Sequence, residues 1–145
     1  MIHLKEVTPD NWRLELSVSE AQKNYVSDSN RLLARAWAYR NYRSNAFFIY
    51  NDDTAIGMAL YYDYEEDRAY DFSQLFIDHR YQGNGFGLEA AKQMLELMRS
   101  DGKYDKVTLC YIDGNEAAKR MYEKLGFALT GDSDDDEIIM EKWLR

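Results

Sequence analysis

A mixed α/β fold, a central β-sheet flanked by helices, is predicted by three observations. Apolar, strand-prone runs alternate with stretches of helical periodicity along the chain. One of the strands runs straight into a glycine-rich turn and a helix. With 145 residues, 46% of them hydrophobic and 14% aromatic, the chain can fill one core of ordinary size but not two. Residues 1–145 are therefore predicted to form a single domain.

The elements follow in order. Ile2 and Leu4 alternate as a short first strand, with Glu6 and Val7 at its end. Thr8 before Pro9 has the form of an N-cap followed by proline at the first helical position, which predicts a helix from about Pro9. Ser19-Glu20-Ala21-Gln22 opens a second helical region in which Tyr25 and Val26 are candidates for burial, and residues 31–37 supply further helical turns. Residues 46–50 and 55–62 are strands joined at Asn51-Asp52-Asp53 as an antiparallel hairpin. After an acidic tip at residues 63–67 comes a strand over 68–77 and then the glycine-rich turn. Leu88, Ala91, Leu95 and Met98 recur at helical spacing until Asp101-Gly102 stops the helix. Residues 107–112 form the next strand, Asn115 caps a second helix with Ala118, Met121, Tyr122 and Leu125 on one face, and residues 127–130 and 138–140 close the chain as a hairpin. Two strands joined through the helix after Gly87 need a right-handed crossover if they run parallel.

Composition excludes several function classes. No apolar run approaches the roughly 20 residues that span a bilayer, and the N-terminus lacks the pattern of a secretory signal, so no membrane role is expected. One cysteine, Cys110, cannot form an internal disulfide, and with two histidines it makes a structural zinc site a poor expectation; the combination suits a reducing cytoplasm. The net charge of −8 opposes a polyphosphate backbone, so no nucleic-acid partner is expected. An acidic surface favours cationic small molecules, and it serves solubility equally well.

The turn Gln82-Gly83-Asn84-Gly85-Phe86-Gly87 carries the chemistry. A strand, a glycine turn and a helix gather unpaired N–H groups and the helix dipole at one point, which suits a phosphate. By itself the pattern is also that of a plain tight turn. It lacks the Gly-Lys-Ser/Thr ending of a nucleotide-triphosphate loop, and its glycine spacing differs from the dinucleotide fingerprint.

This turn resembles the Gln/Arg-x-x-Gly-x-Gly/Ala motif of the GNAT superfamily of N-acetyltransferases. A second segment, Asn115-Glu116-Ala117-Ala118-Lys119-Arg120-Met121-Tyr122-Glu123-Lys124-Leu125-Gly126-Phe127, resembles the superfamily's Asn-x-x-Ala-x-x-x-Tyr-x-Lys-x-Gly-Phe pattern. The likeness covers residues 74–145 well. It implies a splayed central sheet and acetyl-CoA as acyl donor, with Gln82, Gly83, Asn84, Gly85, Phe86 and Gly87 at the pyrophosphate and the Phe76 and Ile77 backbone beside the pantetheine arm. Residues 75–83 and 18–26 are most similar to bacterial polyamine and diamine acetyltransferases, implying a cationic primary amine as acceptor, with Tyr25 as a candidate contact, and, since related enzymes are often dimers, a homodimer. Glu65, Glu66 and the acidic run 132–137 are candidate contacts able to attract a polycation, against charged hairpin tips as the commoner alternative. Another amine, such as a protein N-terminus, a lysine or an antibiotic, and a coenzyme-binding module without turnover are the competing readings.

Freeing an alkyl ammonium of pKa about 10.4 from its proton at pH 7 costs roughly 4.6 kcal/mol, so the site needs a proton acceptor. Animal polyamine acetyltransferases carry a glutamate where this chain has Ser73, so that role does not transfer directly. Asp71, two residues earlier on the same strand face, is a candidate acting through water; the alternative is a solvated strand-end aspartate. A backbone N–H near Phe76 or Ile77 is placed to stabilise the developing oxyanion. Tyr122 occupies the superfamily's general-acid position; because a phenol is a weaker acid than a thiol, hydrogen bonding to the departing thiolate is its expected role, against a buried aromatic as the alternative. Asn115 is read as helix cap, coenzyme ligand or both, and Lys119 and Lys124 as coenzyme phosphate contacts or solvated lysines. Cys110 is expected in the strand core, and His79 has no assigned role.

Overall fold

The computed structural model describes residues 1–23 and 28–145. Seven strands form one sheet: β1 (Ile2–Glu6), β2 (Asn45–Asn51), β3 (Thr54–Tyr64), β4 (Ala69–Ile77), β5 (Lys106–Ile112), β6 (Ala128–Asp134) and β7 (Glu137–Trp143). Three α-helices accompany them among the described residues: α1 (Ser29–Ala38), α2 (Phe86–Asp101) and α3 (Glu116–Lys124). The strand order is β1-β2-β3-β4-β5-β7-β6, antiparallel everywhere except the parallel pair β4–β5. The mixed sheet expected from the sequence is therefore present.

Residues 55–62 read as a continuous apolar run because β3 is buried on both faces. On one face α2 presses Ala90, Ala91, Met94, Leu95 and Met98 onto Ile49, Tyr70, Phe72, Val107 and Met140. On the other, Leu32 of α1 and the segment through Leu16 and Val18 cover Phe48, Met58, Leu60 and Phe76. Each of the buried Leu, Ile, Val, Met and Phe side chains contributes roughly 1.5–3 kcal/mol through its removal from water.

Parallel pairing of β4 with β5 covers only Ala69 with Lys106, Tyr70 with Val107 and Asp71 with Thr108. Beyond Asp71 the strands splay, leaving an open gap between the rest of β4 and the end of β5. At the start of the gap Leu60 pairs with Gln74 but Tyr61 pairs with Phe72, so Ser73 is an extra residue on β4, a β-bulge.

The N-terminal region differs from its sequence reading. No helix starts at Pro9: residues 9–13 form turns in which Thr8 donates its amide to Asn11 Oδ1 at 2.8 Å and its hydroxyl oxygen accepts from the Asp10 amide at 3.2 Å. The short polar side chains satisfy the backbone locally and no helix propagates. The helical region at Ser19 is one 3₁₀ turn, Glu20–Gln22. Tyr25 and Val26 lie outside the described residues.

Candidate active site

The glycine turn is built as the site requires. Gly83 and Gly85 adopt φ of +83° and +77°, and an added Cβ at either would meet nothing within 4 Å, so backbone conformation rather than crowding calls for glycine there. Gly85 caps α2 without a side chain, and the first intrahelical bond runs from the Glu89 amide to Gly85 O at 3.2 Å. The amides of Phe86, Gly87 and Leu88 precede that bond and so lack an intrahelical acceptor. Gln82 braces the turn: its side-chain amide donates to Ile77 O at 2.8 Å and to Gln22 Oε1 at 2.7 Å. Asn84 likewise donates to Tyr81 O at 3.1 Å. Asp78, 2% exposed, ties the end of β4 to the Ser17 and Arg80 amides and to the Arg80 guanidinium; burial alone would raise its pKa, but these donors hold it down at about 2.

From this turn a cavity of about 920 Å³ runs through the gap between β4 and β5. Along β4, backbone alternation decides which groups face it. The Asp78 amide donates to Ile56 O at 2.7 Å, so every second amide back along the strand, Phe76 included, faces β3, while those of Ile77 and Leu75 face the gap. Of the two expected oxyanion donors, the geometry therefore retains Ile77 and removes Phe76. Asn115 caps α3, its Oδ1 accepting from the Ala118 amide at 3.3 Å, and also lines the cavity. Lys124 lines the cavity, but Lys119 does not.

Tyr122 projects from α3 into the cavity, held edge-on by Phe72 and Phe127 with ring centroids 6.2 and 5.7 Å away. Burial raises its pKa well above the ordinary phenol value, so the hydroxyl keeps its proton throughout the physiological range.

The far end of the cavity is assembled from five elements. Asp71 and Ser73 come from β4, Arg35 from α1, Tyr62 from β3, Cys110 from β5 and Glu137 from β7. Arg35 Nη1 donates to Ser73 Oγ at 3.2 Å, and Tyr62 OH donates to the same oxygen at 3.1 Å. Tyr39 stacks on Tyr62 with ring centroids 4.0 Å apart, and burial pushes the Tyr62 hydroxyl up to about 12. Burial likewise raises the Asp71 carboxyl to about 6, with Arg35 pulling it down and Glu137 pushing it up. Asp71 is thus a half-buried mid-strand residue whose strand-end reading fails, since β4 begins at Ala69 and pairs with β5 on either side of Tyr70.

Two further expectations are corrected. Cys110 is exposed to the cavity, not packed in the core, because β5 has already parted from β4 at that point; burial of the thiol and the nearby Glu137 and Asp71 carboxylates raise its pKa to about 11, which makes it a poor nucleophile. Glu65 and Glu66 form a turn at the opposite end of β4, where Glu65 faces Lys103 at 3.7 Å, and neither lines the cavity. Arg35, Tyr62 and Tyr39 carry no local signal in the sequence, where an arginine on an ordinary helix looks like any solvated one, and Glu137 stands out there only as the end of the acidic run 132–137. Among the described residues no cluster of three or more potential metal ligands occurs and no helix is long and apolar enough to cross a membrane.

Comparisons with known proteins bear on the family and the fold. A model of the acetyltransferase (GNAT) family matches residues 10–127. The chain is 30% identical over 150 residues, 99% of either chain, to a spermine/spermidine N(1)-acetyltransferase of Bacillus subtilis. Its fold matches the crystal structure of a Vibrio cholerae spermidine N-acetyltransferase in complex with CoA and spermine, with a TM-score of 0.78 at 17% identity over 99% of this chain and 95% of that one. A dodecameric structure of the V. cholerae enzyme matches with a TM-score of 0.72 at 16% identity over 99% of this chain and 94% of that one.

Proposed function

The chain belongs to the acetyltransferase (GNAT) family of acetyl-CoA-dependent enzymes, and on that premise we propose that it transfers acetyl directly from acetyl-CoA to a primary amine of spermine, spermidine or a related diamine. The observation that carries the reading is the continuity of the cavity, which leads from the glycine turn at the start of α2 through the splayed strands to Asp71 and Glu137. The B. subtilis relative supports the polyamine class.

The coenzyme supplies an activated thioester; what this chain adds is placement and proton handling. The amides at the N-terminus of α2 and the turn at Gly83 and Gly85 receive the pyrophosphate, with Asn115 and Lys124 along the cavity wall. The Ile77 amide faces the gap where negative charge develops on the thioester oxygen, an arrangement worth a few kcal/mol. Asp71, half-ionised near pH 6 and mostly ionised at pH 7, accepts the ammonium proton directly or through water. Tyr122, which keeps its own proton, hydrogen-bonds the departing sulfur.

Residues 1–145 are proposed to act as one domain in the cytoplasm, consistent with a lone cysteine, and to self-associate at least as a dimer, in keeping with the dodecameric relative. Incubation with acetyl-CoA and spermidine, followed by mass spectrometry, is expected to yield a mono-acetylated product carrying the acetyl on a terminal nitrogen. Unmodified spermidine after complete exposure to the donor would count against the proposal.

A further inference from the structure

We infer that Arg35 is a positioning residue of the acceptor end, fixing Ser73 at the β4 bulge and holding the Asp71 carboxylate ready to take the ammonium proton. The inference rests on the acetyl-transfer reading and adds to it a residue from outside both sequence motifs.

Arg35 reaches the site from a well-anchored helix. Asp28 caps α1 by accepting from the Arg31 amide at 2.9 Å, and Leu32, fully buried, locks the next turn to the sheet. Arg35 lies one turn after Arg31, so both line the cavity from the same helix face. Its Nη1 contacts Ser73 Oγ at 3.2 Å, while Tyr62, itself clamped by Tyr39, approaches that oxygen from the other side at 3.1 Å. Ser73 is the extra residue of the bulge, where ladder pairing does not fix the strand. Two side-chain donors supply what the ladder omits.

Four groups from four elements act on Asp71. Arg35 comes from α1, Tyr62 from β3, Cys110 from β5 and Glu137 from β7. Arg35 is the only cation of the four. Tyr62 and Cys110 are neutral at pH 7 because burial raises both pKa values, and Glu137 opposes ionisation of Asp71. Without Arg35, burial and Glu137 would act together to keep Asp71 protonated. A protonated carboxyl cannot accept the proton when the ammonium N–H bond breaks, its electron pair staying on nitrogen for attack on the thioester carbon.

The test is the pH dependence of kcat/KM for spermidine in the wild type and in R35Q, R35K, S73A and D71N. The wild type is expected to lose activity below about pH 6, and D71N to lack that limb. R35Q is expected to move the limb up by about one pH unit, lowering kcat/KM at pH 7 by up to about tenfold and recovering at higher pH, with KM for acetyl-CoA unchanged. R35K should restore the wild-type limb, and S73A, which frees the guanidinium from its anchor, should shift it in the same direction by less. An unmoved limb in both R35Q and S73A overturns the inference, as does a loss in R35Q that is equal at every pH and tracks a lower melting temperature. If the wild type acetylates no amine at all, the acetyl-transfer reading itself falls; if it does and only the limb fails to move, that reading stands and Arg35 alone loses its role.

Discussion

β4 has a closed end and an open end that meet at Asp71, and they do opposite things. At its start β4 is paired to β5 and sealed by charge. Asp63, 3% exposed, receives Arg43 through Nε at 2.7 Å and Nη2 at 2.9 Å and Lys103 at 3.0 Å. Arg43 also reaches Asp101 at 2.9 Å, and the Tyr70 hydroxyl donates to Asp101 at 2.5 Å. Every charge in that cluster has a partner. Asp71 is the last residue of β4 paired to β5; past it the strands part, and Asp71, Arg35 and Glu137 face a common cavity without any of them forming an ion pair with another among the described residues. Paired charge stabilises the fold, whereas charge left unpaired in a cavity is free to act on a ligand.

The largest effects should separate the ends most cleanly. Asp71→Asn is expected to lower kcat/KM at pH 7 by about 10²–10⁴, the usual contribution of a general base, while raising stability. Burial sets the sign of the stability change. Asp71 has a folded pKa near 6 against an ordinary value of 3.8, so between about pH 4 and 6 the folded protein holds a proton that the unfolded chain has lost. Stability from this group is full at low pH and falls as pH rises through that window. The amide of the Asp71→Asn variant does not ionise and so removes the loss, giving a gain on the order of 1–3 kcal/mol at pH 8 and none below about pH 4, readable by urea melts at both pH values. Arg43→Ala should do the reverse: a destabilisation of about 3 kcal/mol, limited by Lys103 remaining beside Asp63, with kcat of the folded fraction close to wild type. Activity lost in proportion at the closed end would break the division.

Acid should divide the ends too. Asp101 is held down at about 2, chiefly by its hydrogen bonds from Arg43, so its contribution is present above about pH 4 and disappears as pH falls towards 2. Asp71 has the opposite slope at higher pH. A stability profile of the wild type should therefore decline on the alkaline side of pH 4 through the Asp71 window, and Arg43→Ala should flatten only the acid limb.

Smaller effects test the cavity itself. Tyr122→Phe is expected to reduce kcat by about 10- to 100-fold with little change in coenzyme affinity, since the hydroxyl is proposed to meet the leaving sulfur; single-turnover kinetics and a direct binding titration resolve the two. Gly85→Ala imposes roughly 1–2 kcal/mol of left-handed strain at the cap of α2 and should weaken coenzyme binding by about tenfold or slightly more. Equal affinity in calorimetry would show that the turn is not the phosphate cradle.

What was legible in the sequence divides along the same line. The glycine turn, the cap at Asn115 and the face carrying Tyr122 and Leu125 are local patterns, and the chain adopts them where they were read. The acceptor end draws on α1, β3, β4, β5 and β7, whose meeting depends on sheet order, so Arg35 and Tyr62 give no local sign and Glu137 shows only as the end of an acidic run. Glu65 and Glu66 were conspicuous as a charge run, yet lie beyond the paired start of β4. Cys110 departs from its expected burial because a strand position in an apolar run is covered only while the neighbouring strand is present. Thr8 and Pro9 have the composition of a helix start, but Asn11 closes a turn in its place.

The proposed acetylation of a polyamine at the open end of β4 and β5 is the activity on which the rest depends. It is checked by steady-state thiol release from acetyl-CoA, measured across a panel of spermine, spermidine, diamines, amino acids, a lysine peptide and an aminoglycoside. The highest kcat/KM is expected for the polyamines and diamines. Thiol release no faster than without an amine, despite measured coenzyme binding, or release confined to the other amines, would contradict it.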